Sequence, residues 1–225
     1  RDLWPEAPIQ MGAIRNRLLI KVLRAFERKI YCRAAHVIAL SPGMRAGVVA
    51  AGTPPEKVTM IPNASDLSLF EPGPIDDEFL RERMLPLKPT IAYAGTLGEA
   101  NAMDVLAEVA VRLHELKVNV QILVAGDGRY FGYLDEIIRR RNLTTMTLLG
   151  RLSKPEVVQL YRASKAGLVL FSDIPILQTN SPNKFFDLLA AGRPVITNMR
   201  GWIADLVRNH RIGYVAEGRN VDGLV

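Results

Sequence analysis

Residues Thr90–Gly128 read "TIAYAGTLGEANAMDVLAEVAVRLHELKVNVQILVAGDG", and this stretch decides the fold class. The apolar run "TIAYAG" leaves through a glycine loop, a segment with helical spacing follows near 101–116, and the run "VNVQILVAG" leaves through a second glycine turn. Neither run alternates strictly, so each predicts a strand buried on both faces, as in a parallel sheet covered by helices. The same grammar continues downstream. Strands are predicted at "TMTLLG", "AGLVLF", "RPVIT" and "GYVAE", with helices near 130–142, 154–164, 182–191 and 202–209. The capping box "SKPE", Ser153–Glu156, announces one of these helices. Serial β-α-β predicts an α/β fold with a doubly wound parallel sheet, Rossmann-like, whose ligands gather at the carboxyl ends of the strands.

Upstream the pattern is shorter. A basic helix, a strand "HVIAL", a helix opened by "SPGM" and closed at Gly52, and a strand "KVTMIPN" precede residue 64. Two strands do not make a free-standing α/β domain. Residues 64–89, with four prolines and the charged segment "DDEFLRERM", read as a connection between lobes. The expected organisation is residues 1–70 as the tail of an N-terminal domain, 71–89 as linker and 90–225 as a C-terminal domain truncated at its end. A start at Arg1 without methionine, and an end at Val225 in what reads as a helix start, lead to the expectation of a fragment.

Composition narrows the function. The chain has 225 residues, 48% of them apolar, enough for one large core or two smaller ones. Cys32 is the sole cysteine, so no internal disulfide forms, and nothing at the N-terminus reads as a signal peptide, which makes a reducing cytoplasm the expected compartment. The net charge of +6 is concentrated in Arg15–Arg33, dense in Lys and Arg. Such a helix suits an anionic membrane surface. Its apolar residues Leu18, Leu19, Val22, Leu23, Phe26 and Ile30 also recur at helical spacing, so an ordinary helix with its apolar face packed and its basic face in water is the favoured reading. Few aromatics interleave the charges and no zinc-knuckle or RNP-like pattern occurs, so nucleic acid is not expected as a partner. The three histidines, His36, His114 and His210, are scattered and predict no metal site.

Chemistry is expected in three loops. In "AGTLGEANAMD", Gly95 and Gly98 let backbone approach a ligand ahead of a helix N-terminus. In "VAGDGRY", Gly126 and Gly128 mark a tight strand exit. Both loops are also compatible with plain strand-to-helix turns. The third is "TNSPNKFFDLLAAGRPVITN", Thr179–Asn198, where Ser181 suits an N-cap, Pro182 the first helical position and Gly192 the residue past the end. Lys184 then lies in the first turn, where a cation opposes the helix dipole unless an anion shares the site. Asp187, one turn on, shares its face, while Phe185, Leu188 and Leu189 point to the core. The lysine suits a diphosphate and the carboxylate suits ribose hydroxyls; the plain alternative is a surface salt pair between them. Arg151, directly after "TMTLLG", reaches the same crevice or is a solvated strand-end arginine.

The ordered set "YAGTLG", "ILVAGDG", "LLGRLSKPEVVQLYRAS", "SPNKFFDLLAAGRPVI" and "GYV" resembles the C-terminal half of a GT-B glycosyltransferase of family four. The segments "RDLWPE", "VIALSPGM" and "VTMIPNASDLSLF" resemble the end of that family's N-terminal domain, most closely in its fucosamine-transferase-like branch. The resemblance implies a retaining transferase that uses a nucleoside diphosphate sugar, UDP by branch, and a saccharide or polyprenyl-linked acceptor in bacterial surface polysaccharide synthesis, working in the cytoplasm or at the inner membrane face. It implies no cofactor beyond the substrate, and no activity as a transferase for the fragment alone. Asp187 falls where the family's second glutamate binds the donor ribose, and Thr179 falls where its first would be. Sugar contacts are therefore expected from Asn180, Ser181, Pro182 and Asn183. Thr96 stands near the position of the family's loop arginine and that loop has no lysine, which makes Lys184 the expected diphosphate ligand, supported by Arg151 and by N–H groups at Gly98 and Ser181. Two alternatives stay open: a non-catalytic nucleotide-sugar-binding subunit, and a GT-B nucleotide-sugar 2-epimerase. Asp2 and Glu6 are not assigned to acceptor binding.

Overall fold

The computed structural model describes residues 3–225. Arg1 and Asp2, the head of "RDLWPE", lie outside the described residues. The chain divides into two units, Arg1–Asn63 with Asp173–Pro182, and Ala64–Ser172 with Asn183–Val225.

The first unit contains helices α1 (Glu6–Gln10), α2 (Arg17–Arg33) and α3 (Pro42–Ala50), and strands β1 (Val37–Ala39) and β2 (Val58–Met60), which pair in parallel with Val37 opposite Val58. Local chemistry sets the helix starts. Asn16 Oδ1 accepts the N–H groups of Leu18 and Leu19, and Ser41 Oγ accepts that of Met44 ahead of Pro42 at the first helical position. Helix α2 departs from the expected packing. Leu18, Leu19, Val22, Phe26 and Ile30 are all exposed, and Glu27 is the buried residue of the helix. The side turned inward carries Glu27 with half-buried Ile20 and Tyr31, and burial raises the Glu27 carboxyl against the Tyr31 hydrogen bond that lowers it. Of the apolar stripe only Leu23 is half-buried, so helical periodicity alone did not reveal which side would be covered.

The second unit holds the sheet. In chain order it contains α4 (Glu78–Glu82), β3 (Thr90–Ala94), α5 (Met103–Glu115), β4 (Gln121–Ala125), α6 (Phe131–Arg141), β5 (Met146–Gly150), α7 (Lys154–Arg162), β6 (Ala166–Val169), α8 (Asn183–Ala190), β7 (Val195–Thr197), α9 (Trp202–His210), β8 (Gly213–Val215) and α10 (Val221–Leu224). Six strands pair in the order β5-β4-β3-β6-β7-β8, every pairing parallel. This is the doubly wound Rossmann-like arrangement, and its order reverses between β3 and β6. Ala92, Leu97, Leu106, Leu123 and Leu134 are fully buried in the core beside β3 and β4. The capping box holds: Ser153 N–H and Oγ both reach Glu156 Oε2 at 2.7 Å, and Arg83 adds a 2.7 Å ion pair to the same carboxylate.

Helix α8 ends as its sequence predicts. Gly192 has φ +69, its N–H reaches Leu189 O at 2.9 Å and the Arg193 N–H reaches Leu188 O at 2.8 Å, the paired bonds of a Schellman motif. Its start is shifted by one residue, to Asn183. In place of the predicted cap, Ser181 Oγ accepts the Asn63 N–H at 3.3 Å and the Ser181 carbonyl accepts Asn63 Nδ2.

Candidate functional site

The reversal between β3 and β6 opens a crevice at the carboxyl ends of those two strands. Three segments of the second unit meet there. The loop after β3 runs through Gly95 into a 3-10 turn, Glu99–Asn101, and then passes Ala102, left-handed at φ 50, into α5. The exit of β6 brings buried Leu170 and Phe171, and Ser172 is tied to the turn by its N–H to Ala100 O at 3.0 Å. Helix α8 supplies Lys184 in its first turn.

Lys184 is the centre of the arrangement. Its side chain is half-buried, and Nζ donates to Tyr93 Oη at 3.0 Å and to Asn101 Oδ1 at 3.3 Å. The ammonium also lies 4.2 Å from the centroid of the Tyr93 ring and 5.9 Å from that of Phe171, within cation–π range. Burial pushes its pKa down to about 7, with no neighbouring charge to offset the desolvation. A methyl group at Gly95 would stand 2.9 Å from Nζ, so this glycine leaves room for the lysine. The site is thus a half-buried cation at a helix N-terminus with no carboxylate paired to it among the described residues, which is the chemistry of an anion receptor.

Asp187 takes a separate partner. Ser65 Oγ donates to its Oδ1 at 2.6 Å, and burial raises its pKa while that bond lowers it. The surface salt pair with Lys184 is therefore not formed. At the loop glycines the Gly126 N–H donates to Gly150 O at 2.7 Å and the Gly95 N–H to Ala125 O at 3.0 Å. Gly126 and Gly128 serve close packing, since a Cβ would lie 1.9 Å from Gly95 O at the first and 2.5 Å from Leu97 O at the second. Arg151 pairs with Asp127 at 3.1 Å and its side chain is 83% exposed. It leaves the edge strand β5, separated from β3 by β4, so two strand spacings, roughly 10 Å, part it from the crevice.

Thr96 and Asn183 are exposed, and the Thr96 carbonyl accepts the Tyr93 hydroxyl at 2.8 Å. Gly98, extended at φ −124, opens the 3-10 turn. Asn180, Ser181 and Pro182 belong to the first unit, where Asn180 N–H reaches Leu177 O at 3.2 Å. Sequence reasoning missed Tyr93, Asn101 and Ser65. The available signal was the phenol in "TIAYAG": a buried tyrosine hydroxyl must find polar partners, and it finds two here.

A six-stranded doubly wound sheet with a lysine at its switch point is an architecture that many nucleotide- and phosphate-binding α/β proteins share. Residues 88–225 match the sequence profile of the family described as "Glycosyl transferases group 1", and residues 1–64 match that of the "Glycosyl transferase 4-like domain". The chain belongs to the GT-B glycosyltransferases of group 1. Two curated relatives carry names that propose glycosyl transfer. EpsF of Bacillus subtilis (strain 168) is 30% identical over 95 residues, covering 41% of this chain and 25% of that protein. WcaI of Escherichia coli (strain K12), named for colanic acid biosynthesis, is 26% identical over 171 residues, covering 75% of this chain and 41% of that protein. Among solved structures, HepE of Anabaena in complex with UDP-glucose superposes with a TM-score of 0.72 at 20% identity, over 88% of this chain and 54% of that one. Sucrose-phosphate synthase of Thermosynechococcus elongatus gives 0.74 at 18%, over 96% and 54%. At these identities the likeness shows the fold. The chain spans less than half the length of the curated relatives and about half that of the solved structures.

Proposed function

We propose that the protein is the donor-binding part of a glycosyltransferase that moves a sugar, with retention, from a UDP-linked donor to a saccharide or polyprenyl-linked acceptor in bacterial surface polysaccharide synthesis. In this reading the second unit is the donor domain and the first is the end of the acceptor-side domain. The observation that carries the proposal is Lys184: a desolvated cation with two neutral hydrogen-bond partners at the sheet's switch point. As the glycosyl bond breaks, charge grows on the departing diphosphate, and a pre-set ammonium stabilises that charge at no cost of reorganisation. Asp187, one turn deeper and fixed through Oδ1 by Ser65, keeps Oδ2 for a ribose hydroxyl. HepE, which shares the fold, was solved with UDP-glucose, and WcaI, named for colanic acid biosynthesis, supports the polysaccharide context. The exposed basic and apolar residues of α2 support contact with an anionic membrane at the cytoplasmic face.

Calorimetric titration with UDP, UMP and GDP tests the donor reading. UDP is expected to bind about tenfold or more tighter than UMP, with that preference lost in Lys184→Ala, and Asp187→Ala to weaken UDP and UMP alike. Absence of nucleotide binding, or a Lys184→Ala protein that keeps the preference, refutes it. A second reading, a nucleotide-sugar-binding subunit without turnover, draws on Thr179. It stands where the resemblance expects a glutamate, and its Oγ1 is engaged with Ile176 O at 2.7 Å. Turnover of donor by the full chain excludes that reading.

A further inference from the structure

Tyr93 has one hydroxyl proton, and the geometry commits it. The hydroxyl donates to Thr96 O at 2.8 Å, so towards Lys184 Nζ, 3.0 Å away, it can only accept. Burial drives the phenol's own pKa well upward, so it stays neutral and cannot become the counter-ion of the lysine. Asn101, from the 3-10 turn, contributes a second neutral acceptor at 3.3 Å, and Phe171, from the exit of β6, contributes an aromatic face. From β3 the ammonium meets Tyr93 and Gly95, and on its own helix the nearest carboxylate, Asp187, is bound to Ser65. Among the described residues, its partners are thus neutral acceptors and aromatic rings.

We propose that Tyr93 and Asn101 are positioning residues that aim Lys184 Nζ while offering it no carboxylate, so that the donor's diphosphate arrives as its counter-ion and is captured together with a proton from solvent. The inference rests on the donor reading above and adds to it the means of aiming the lysine and the proton that accompanies binding. The sign follows from the burial. The empty site holds the lysine near its midpoint at about pH 7, and a bound diphosphate favours the charged form. UDP affinity therefore falls as pH rises above 7, by up to about tenfold per pH unit. UMP, without the second phosphate, does not draw the proton.

The test is calorimetry of the full chain at pH 8, where UDP is fully ionised, in two buffers of different ionisation enthalpy. The expected result is uptake of about one proton per UDP and none per UMP. Tyr93→Phe keeps the ring and is expected to leave UMP binding intact while weakening UDP about tenfold. Asn101→Asp is isosteric and puts a carboxylate beside Nζ. It is expected to weaken UDP and abolish proton uptake, because the lysine is already charged before the nucleotide arrives. If Lys184→Ala removes the UDP preference while both other variants keep wild-type affinity and proton uptake, the positioning role is overturned and the donor site stands. A wild-type chain that binds no UDP overturns both.

Discussion

Replacing Gly126 by alanine tests the packing that shapes the crest of the sheet. At φ +143 a side chain is strained, which costs roughly 1–3 kcal/mol, and the new Cβ would lie 1.9 Å from Gly95 O. Relief requires the loop after β3 to move away by more than 1 Å, at a further cost of about 1–3 kcal/mol as an overpacked contact. The movement pulls on the Gly95 N–H bond to Ala125 O at 3.0 Å and the Gly126 N–H bond to Gly150 O at 2.7 Å, which join the exits of β3, β4 and β5. The expected loss is therefore about 2–6 kcal/mol, a large part of the 5–15 kcal/mol that ordinarily holds a domain folded. Gly98→Ala is the control. That residue is extended, and a Cβ there would meet Thr96 at 3.6 Å and Asn101 at 3.9 Å, ordinary contacts, so the change should be neutral or stabilise by about 0.4–1 kcal/mol. Urea unfolding followed by circular dichroism separates the two. If Gly126→Ala unfolds within about 0.5 kcal/mol of Gly98→Ala, the close approach of the two loops is not what the glycine serves.

Asn198 is buried, with Oδ1 accepting the Phe171 N–H at 2.8 Å and Nδ2 donating to Phe171 O at 2.8 Å and Gly218 O at 3.0 Å. Asn198→Ala should cost about 2–4 kcal/mol by denaturant midpoint, because it strands three backbone groups; a loss under about 1 kcal/mol means that water replaces the amide. For α2, replacing Arg15, Arg17, Lys21 and Arg28 with glutamine should release the full chain from anionic vesicles, at about 1 kcal/mol per charge. Retained binding in a sedimentation assay sinks the membrane proposal.

Much of the second unit was legible because its determinants are local. The runs "TIAYAG" and "QILVA" carry the apolar signature of strands covered on both faces, and β3 and β4 form there. Ser153 and Glu156, three apart, form the capping box, and Gly192 ends α8 in the predicted turn. Lys184 was legible as an anomaly, a cation at the wrong end of a helix dipole. Its surroundings were not, because Tyr93 and Asn101 lie 91 and 83 residues away along the chain. Arg151 was legible only as two alternatives, crevice or solvent, because the sheet order that puts β5 at the edge is not encoded in any window of neighbouring residues.

The sequence by itself determined element type, the capping box of α7, the C-terminal end of α8 and the class of the sheet, since these follow from periodicity and from hydrogen bonds that span three to five residues. The tertiary structure alone decided which side of α2 would be covered, which glycines would carry backbone against backbone, and which groups would face Lys184. Those outcomes depend on strand order and loop closure, which bring together residues tens of positions apart. Only there does burial lower the pKa of an ordinary lysine to about 7.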